Sequence, residues 1–140
     1  MKPVLENYNP PKEPYLEVIH EDPNFLVINK PSGLLSVPGK TDALRDCLEW
    51  RAQKIYGSVK AVHRLDMDTS GLILISLSPN AHANLSKQFE DRLVKKVYIA
   101  RVFGLVMEDK GEINLPLACD WPNRPIQKVD YKLGKPALTY

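Results

Sequence analysis

The sequence predicts an α+β fold, a mainly antiparallel sheet with flanking helices, and three observations carry that reading. Short apolar runs are bounded by turn signals such as Asp22-Pro23-Asn24 and Pro31-Ser32-Gly33. Two longer stretches place apolar residues at helical spacing between capping residues. The first two strand signals read as a hairpin, and the strand-helix-strand mixture after them suits an α+β arrangement.

In chain order, residues 1–14 are polar and carry Pro3, Pro10, Pro11 and Pro14, which predicts an extended arm on the surface or disordered. The remainder, 15–140, reads as one domain. Tyr15 to His20 has strand composition, and Phe25 to Ile28 is its hairpin partner across Asp22-Pro23-Asn24. Residues 42–56 predict a helix with Ala43, Leu44, Cys47, Leu48, Arg51 and Ile55 on one face. Arg51 can lay its stem along that face. Thr41 or Asp42 caps the start and Gly57 stops the end. Leu72-Ile73-Leu74-Ile75 predicts a buried strand. Ser78-Pro79 opens a second helix, running to about Arg92 with Leu85 and Phe89 inward. Val97 to Phe103 predicts a strand stopped by Gly104, and 113–117 and 129–131 are weaker strands. Ala137 to Tyr140 has the composition of a further strand just begun. The chain is therefore expected to be a fragment whose domain is incomplete at its C-terminus.

Composition narrows the function. The chain is 44% hydrophobic and 26% charged, as in an ordinary soluble protein. No apolar run approaches the roughly 18–20 residues that span a bilayer, and the N-terminus lacks the apolar core of a signal peptide. Cys47 and Cys119 fit neither a CxxC pair nor a disulfide framework, so reduced thiols and a cytoplasmic location are expected. The three histidines lack zinc-ligand spacing. The net charge of +2 is unevenly spread. Residues 1–24 set Lys2 and Lys12 against Glu6, Glu13, Glu17, Glu21 and Asp22. By contrast, Lys87, Arg92, Lys95, Lys96 and Arg101 outnumber the nearby acids, as do Arg124, Lys128, Lys132 and Lys135. Two basic segments suit a polyanionic partner, and solvated faces would look similar.

Three constellations carry candidate chemistry. His63-Arg64-Leu65-Asp66-Met67-Asp68-Thr69-Ser70-Gly71 crowds ionisable and hydroxyl groups into the mouth of a strand, which could hold them rigidly enough for catalysis. A solvated turn with an Asx cap would read the same way. Lys30-Pro31-Ser32-Gly33 is the second, and on its own is a plain turn. The third is Lys95-Lys96-Val97-Tyr98-Ile99-Ala100-Arg101, where a tyrosine between basic residues could stack on a base or simply fill a core. Asp66-Met67-Asp68-Thr69 also mimics the DxDxT of aspartyl-phosphate phosphatases, where magnesium bridges the carboxylates. That motif wants an apolar strand running into its first Asp, and here His63 and Arg64 interrupt it. The kinase-like His-Arg-Leu-Asp lacks a GxGxxG loop and an Asp-Phe-Gly.

Together these segments resemble the RluA family of RNA pseudouridine synthases. The residues that carry the likeness are Asn29-Lys30-Pro31-Ser32-Gly33-Leu34, His63-Arg64-Leu65-Asp66 with Thr69-Ser70-Gly71, and Lys95-Lys96-x-Tyr98. Glu6 to Pro11, Cys119 to Pro125 and Gln127-Lys128-Val129 narrow it to the dual-specificity type acting on ribosomal and transfer RNA. The resemblance implies the catalytic fold of that family and isomerisation of uridine to pseudouridine in stem-loops of 23S ribosomal RNA and transfer RNA. It implies no cofactor and no metal, because the reaction involves neither redox chemistry nor hydrolysis. Asp66 takes the position of the catalytic aspartate, and Tyr98 that of the tyrosine stacking on the target base. Arg64 takes the place of the arginine that fills the space left by the flipped base; a salt bridge to Asp66 or Asp68 is the alternative. His63 and Thr69 would shape the loop beside the substrate, and Lys30 and Lys96 would meet phosphates. The family's later GRxHQIR-type segment, whose arginine pairs with the aspartate, has no counterpart before Tyr140. The expected consequences are that this chain alone is inactive and that the full-length protein is a monomer. A magnesium-dependent phosphatase using Asp66 and Asp68, and a non-catalytic RNA-binding fragment, stand as alternatives.

Overall fold

The computed structural model describes residues 7–123 and 126–140. The first six residues of the expected arm, and Arg124 of the second basic segment, lie outside the described residues. The chain divides into two compact units, one ending at Val97 and the other spanning Tyr98–Tyr140.

The first unit is built on a four-stranded antiparallel sheet. In chain order its elements are β1 (Val18–Glu21), β2 (Phe25–Lys30), α1 (Leu48–Tyr56), β3 (Lys60–Ala61), β4 (Gly71–Ser76) and α2 (Pro79–Glu90). The spatial order is β1-β2-β4-β3. Alternation along β2 buries Leu26, Ile28 and Lys30, and β4 buries Ile73 and Ile75 opposite them. These join Leu34, Leu48, Ala52, Val59 and Leu65 in one core. Leu72 on β4 is 61% exposed, so this strand is covered on one face rather than enclosed on both as its unbroken apolar run suggested.

Local chemistry moved several boundaries. The expected strand from Tyr15 begins only at Val18, because the Tyr15 carbonyl accepts from Arg51 at 3.2 Å instead of joining the ladder. The expected helix over 42–56 is broken. Asp42–Leu44 form one 3-10 turn, and α1 starts at Leu48. Cys47 is the cause. Its extended backbone forms an isolated bridge to Leu35, and its Sγ accepts from Trp50 N–H at 3.4 Å as the helix cap. The next two amides, of Leu48 and Glu49, donate to the carbonyls of Leu35 and Ser36 at 2.8 and 3.1 Å. The buried face of α1 is therefore Leu48, Arg51 and Ala52, and Ile55 is exposed. Gly57 closes α1 at φ +79, a conformation that favours glycine. Ser78 caps α2 by accepting from Ala81 N–H, with Pro79 in the first turn.

Arg51 is buried whole, not only along its stem. Its guanidinium grips Asp46 with two bonds of 2.7 and 2.8 Å and lies 5.0 Å from the Tyr15 ring centre.

The expected strand Val97 to Phe103, which begins at the last residue of the first unit, does not form. Val97, Ile99 and Phe103 are fully or nearly fully exposed, and among the described residues no strand pairs with them. A strand needs a ladder partner more than it needs propensity. Two small antiparallel pairs form instead, β5 (Ile113–Asn114) with β8 (Leu138–Thr139), and β6 (Leu117–Cys119) with β7 (Gln127–Val129). Pro116, which has no N–H to donate, separates β5 from β6.

Asp46→Ala leaves the Arg51 charge buried without its partner. The half-exposed Asp46 tempers the cost, and a loss of about 2–3 kcal/mol in urea unfolding is expected. A change under about 0.5 kcal/mol, the range of a surface pair, would show that the clasp is not structural.

Candidate active site

The site is assembled by strand register. β2 and β4 pair so that Lys30 faces Gly71. The loop leaving β2 (residues 31–36) and the loop entering β4 (residues 62–70) therefore emerge side by side from the same end of the sheet.

The last residue of β2 and two residues of the first loop clamp the second loop. Lys30 is completely buried, and its ammonium donates to the carbonyls of Leu34 at 2.7 Å, Met67 at 2.9 Å and Pro31 at 3.1 Å. Gly33, at φ +85, gives its N–H to the same Met67 carbonyl at 2.9 Å. The buried Ser36 Oγ donates to the Leu65 carbonyl at 2.6 Å and accepts from the Leu65 N–H at 3.0 Å. Asp66 is thus held on both sides, by Leu65 and by Met67. A bond from Thr69 N–H to the Asp66 carbonyl at 3.1 Å closes the turn.

The clamp leaves the reactive groups free. Leu65 is buried in the core, while its neighbours Arg64 and Asp66 are exposed. Arg64 makes no ion pair with Asp66 or Asp68, so the salt-bridge alternative is not realised. Burial outweighs the opposing charges of Asp68 and Asp66 and lowers the pKa of the Lys30 ammonium to about 8. It stays cationic at neutral pH and places positive charge behind both carboxylates. All three of its donors are used inside the protein, so Lys30 builds the loop instead of reaching a phosphate.

His63 is a strut. Leu74 N–H donates to its Nε2 at 3.1 Å, extending the β3–β4 pairing by a side chain, and its ring stacks on Phe89 of α2 at 4.5 Å. Burial, and secondarily the charge of Lys96, lowers its pKa. The ring is therefore neutral, with the proton on Nδ1. Lys96 lies 5.9 Å from the Phe89 ring centre, next to His63. The first unit thus gathers Lys30, His63, Arg64, Asp66, Thr69 and Lys96. Tyr98 belongs to the second unit and is 59% exposed. Sequence reasoning missed Ser36, whose signal was a serine at a buried position of the Leu34-Leu35-Ser36 alternation. Among the described residues, no group of three or more His, Cys, Asp or Glu side chains is arranged to hold a metal. No helix among the described residues is long and apolar enough to cross a membrane.

A family model described as RNA pseudouridylate synthase matches residues 24–140. The chain belongs to the RNA pseudouridylate synthase family. Relatives named dual-specificity RNA pseudouridine synthase RluA include those of Salmonella typhi, 52% identical over 96% of this chain and 62% of the relative. Those of Pasteurella multocida and Vibrio parahaemolyticus are 54% and 51% identical, over 97% of this chain and 62% and 54% of theirs. The chain thus spans about three fifths of the length of the curated relatives it matches. Among solved structures, human RNA Pseudouridylate Synthase Domain Containing 1 shares the α+β fold. Its TM-score is 0.66 at 23% identity, over 88% of this chain and 49% of that one. The phosphatase and the non-catalytic alternatives draw no support from these matches. The phosphatase reading also fails on placement, because the apolar strand β4 follows Asp66 instead of leading into it.

His63 gives the site a pH dependence whose sign is fixed. Its folded pKa lies below the ordinary 6.5, so just under that pH the unfolded chain binds more protons and stability falls as pH drops. Between pH 7.5 and 5.5, wild type should lose more unfolding free energy than His63→Leu, by at most about 1.4 kcal/mol per pH unit. Equal losses would place the titration elsewhere.

Proposed function

We propose that this chain is the aspartate-bearing part of an RNA pseudouridine synthase that converts uridine to pseudouridine in stem-loops of 23S ribosomal RNA and transfer RNA. The full-length protein would act in the cytoplasm as a monomer. The isomerisation breaks the N1–C1′ bond, turns the base and rejoins it through C5, so every atom of the uridine is kept. Asp66 either attacks C1′ or removes a sugar proton, and both roles need an ionised, oriented carboxylate.

One observation carries the reading beyond family membership. Asp66 is an exposed residue whose flanking backbone is fixed by Lys30, Gly33 and Ser36, with a buried cation close behind. Such a carboxylate projects from a backbone that is already in place. Its reach to a base requires that the nucleotide leave the stack. Arg64, exposed across Leu65 from Asp66 and free of both aspartates, is suited to occupy the vacated space. Tyr98 would stack on the extruded base, worth about 1–3 kcal/mol. Lys96 would meet the backbone phosphates, and His63 and Thr69 would shape the pocket wall.

In the full-length protein, Asp66→Asn should abolish pseudouridine formation in a stem-loop RNA while RNA affinity largely survives. Asp68→Asn should keep much of its activity, because its carboxylate lies outside the clamped pair of neighbours. An Asp66→Asn variant with near-normal turnover would sink the assignment. Equal and complete loss at both positions, with a requirement for magnesium, would return the phosphatase reading.

A further inference from the structure

Residues Tyr8 to Tyr15, outside the three constellations with candidate chemistry, are tied to the site at three places. Tyr8 Oη donates to the Asp46 carbonyl at 2.7 Å and accepts from the Leu35 N–H at 3.0 Å. Burial holds the phenol above its ordinary pKa, so it is neutral at any physiological pH. Pro11 Cδ lies 3.5 Å from where a Cβ on Gly33 would sit. At the far end, the Tyr15 carbonyl and ring are held by Arg51, whose guanidinium also grips Asp46. Asp46 therefore anchors both ends, its carbonyl to Tyr8 and its carboxylate, through Arg51, to Tyr15.

Between these anchors lies the loop that clamps Asp66. Leu35, held by Tyr8, sits next to Ser36, which fixes Leu65. Gly33, faced by Pro11, fixes Met67. We propose that Tyr8–Tyr15 form a strap that sets the position of the Asp66 turn, with Tyr8 as its positioning residue, an inference that rests on the isomerase reading above. Tyr8 touches neither Asp66 nor its immediate neighbours in sequence. It acts two steps away, through Leu35 and then Ser36. A shift of about 1 Å in a catalytic group is enough to slow turnover without altering how much RNA is held.

The test is Tyr8→Phe in the full-length protein, which keeps the ring and removes the hydroxyl. The control is Tyr56→Phe, which removes a hydroxyl bonded to Glu21 on the surface away from the site. Pseudouridine formation should fall in kcat by about three- to tenfold in Tyr8→Phe, the range carried by one or two hydrogen bonds. KM for the RNA should not change, and amide exchange should quicken at Leu35 and Leu65. Tyr56→Phe should match wild type in all three. A wild-type kcat in Tyr8→Phe overturns the strap, as does a rise in KM alone, which would mean that the arm touches RNA. An equal fall in the control also overturns it. If Tyr8→Phe does not fold, Pro11→Ala carries the test, because it leaves both Tyr8 bonds in place; wild-type kcat there overturns the proposal. Absence of isomerisation by the wild-type full-length protein removes the isomerase reading itself, and the strap with it.

Discussion

One buried ammonium joins the two halves of the site. Lys30 ends β2, and its three donors reach carbonyls in its own loop and in the loop that carries Asp66. Without that cation the Leu34 and Pro31 carbonyls would lose this donor, and the Met67 carbonyl would keep only the Gly33 N–H. Buried polar groups left unpaired cost about 1–3 kcal/mol each. Hydrogen bonding and charge act together here. The ammonium shapes the turn and supplies the positive potential behind Asp66 and Asp68.

The sheet register makes this possible. Because Lys30 faces Gly71, the end of β2 and the start of β4 lie side by side, and a long side chain can cross from one loop to the next. The same loop also feeds the helix. The Leu35 and Ser36 carbonyls take the first amides of α1, so the start of that helix, the 31–36 loop and the Asp66 turn are one hydrogen-bonded assembly. His63 ties the other side of the turn to β4 and α2. Rigid elements therefore meet the turn from both directions, as a site needing sub-ångström placement requires.

The strands and helices that bury their own apolar face were legible in the sequence. The β1–β2 hairpin, β4 and α2 appear close to where periodicity and caps put them. The break before α1 was not legible, because Cys47 stops the helix through its bridge to Leu35, twelve residues away in sequence. Val97 to Phe103 failed for the opposite reason: its strand propensity is real, but nothing among the described residues pairs with it. At the site, motif reading singled out Asp66, Arg64 and His63. It assigned Lys30 to phosphate through the family resemblance. Only the alternation along β2, which buries Leu26, Ile28 and then Lys30, carries the contrary signal. The structural role of Ser36 depends on Leu65 arriving in the adjacent loop before β4, and no local pattern encodes that meeting.

The whole site depends on the Lys30 ammonium being sealed on those three carbonyls. The decisive measurement is lysine-ammonium NMR titrated across alkaline pH. One lysine should show slowly exchanging Nζ protons and a midpoint lowered to about 8, and its signal should disappear in Lys30→Met. A Lys30 signal that exchanges at the solvent rate and titrates at the ordinary 10.5 would contradict it, because the ammonium would then lie in water and the Asp66 turn would be held by something else.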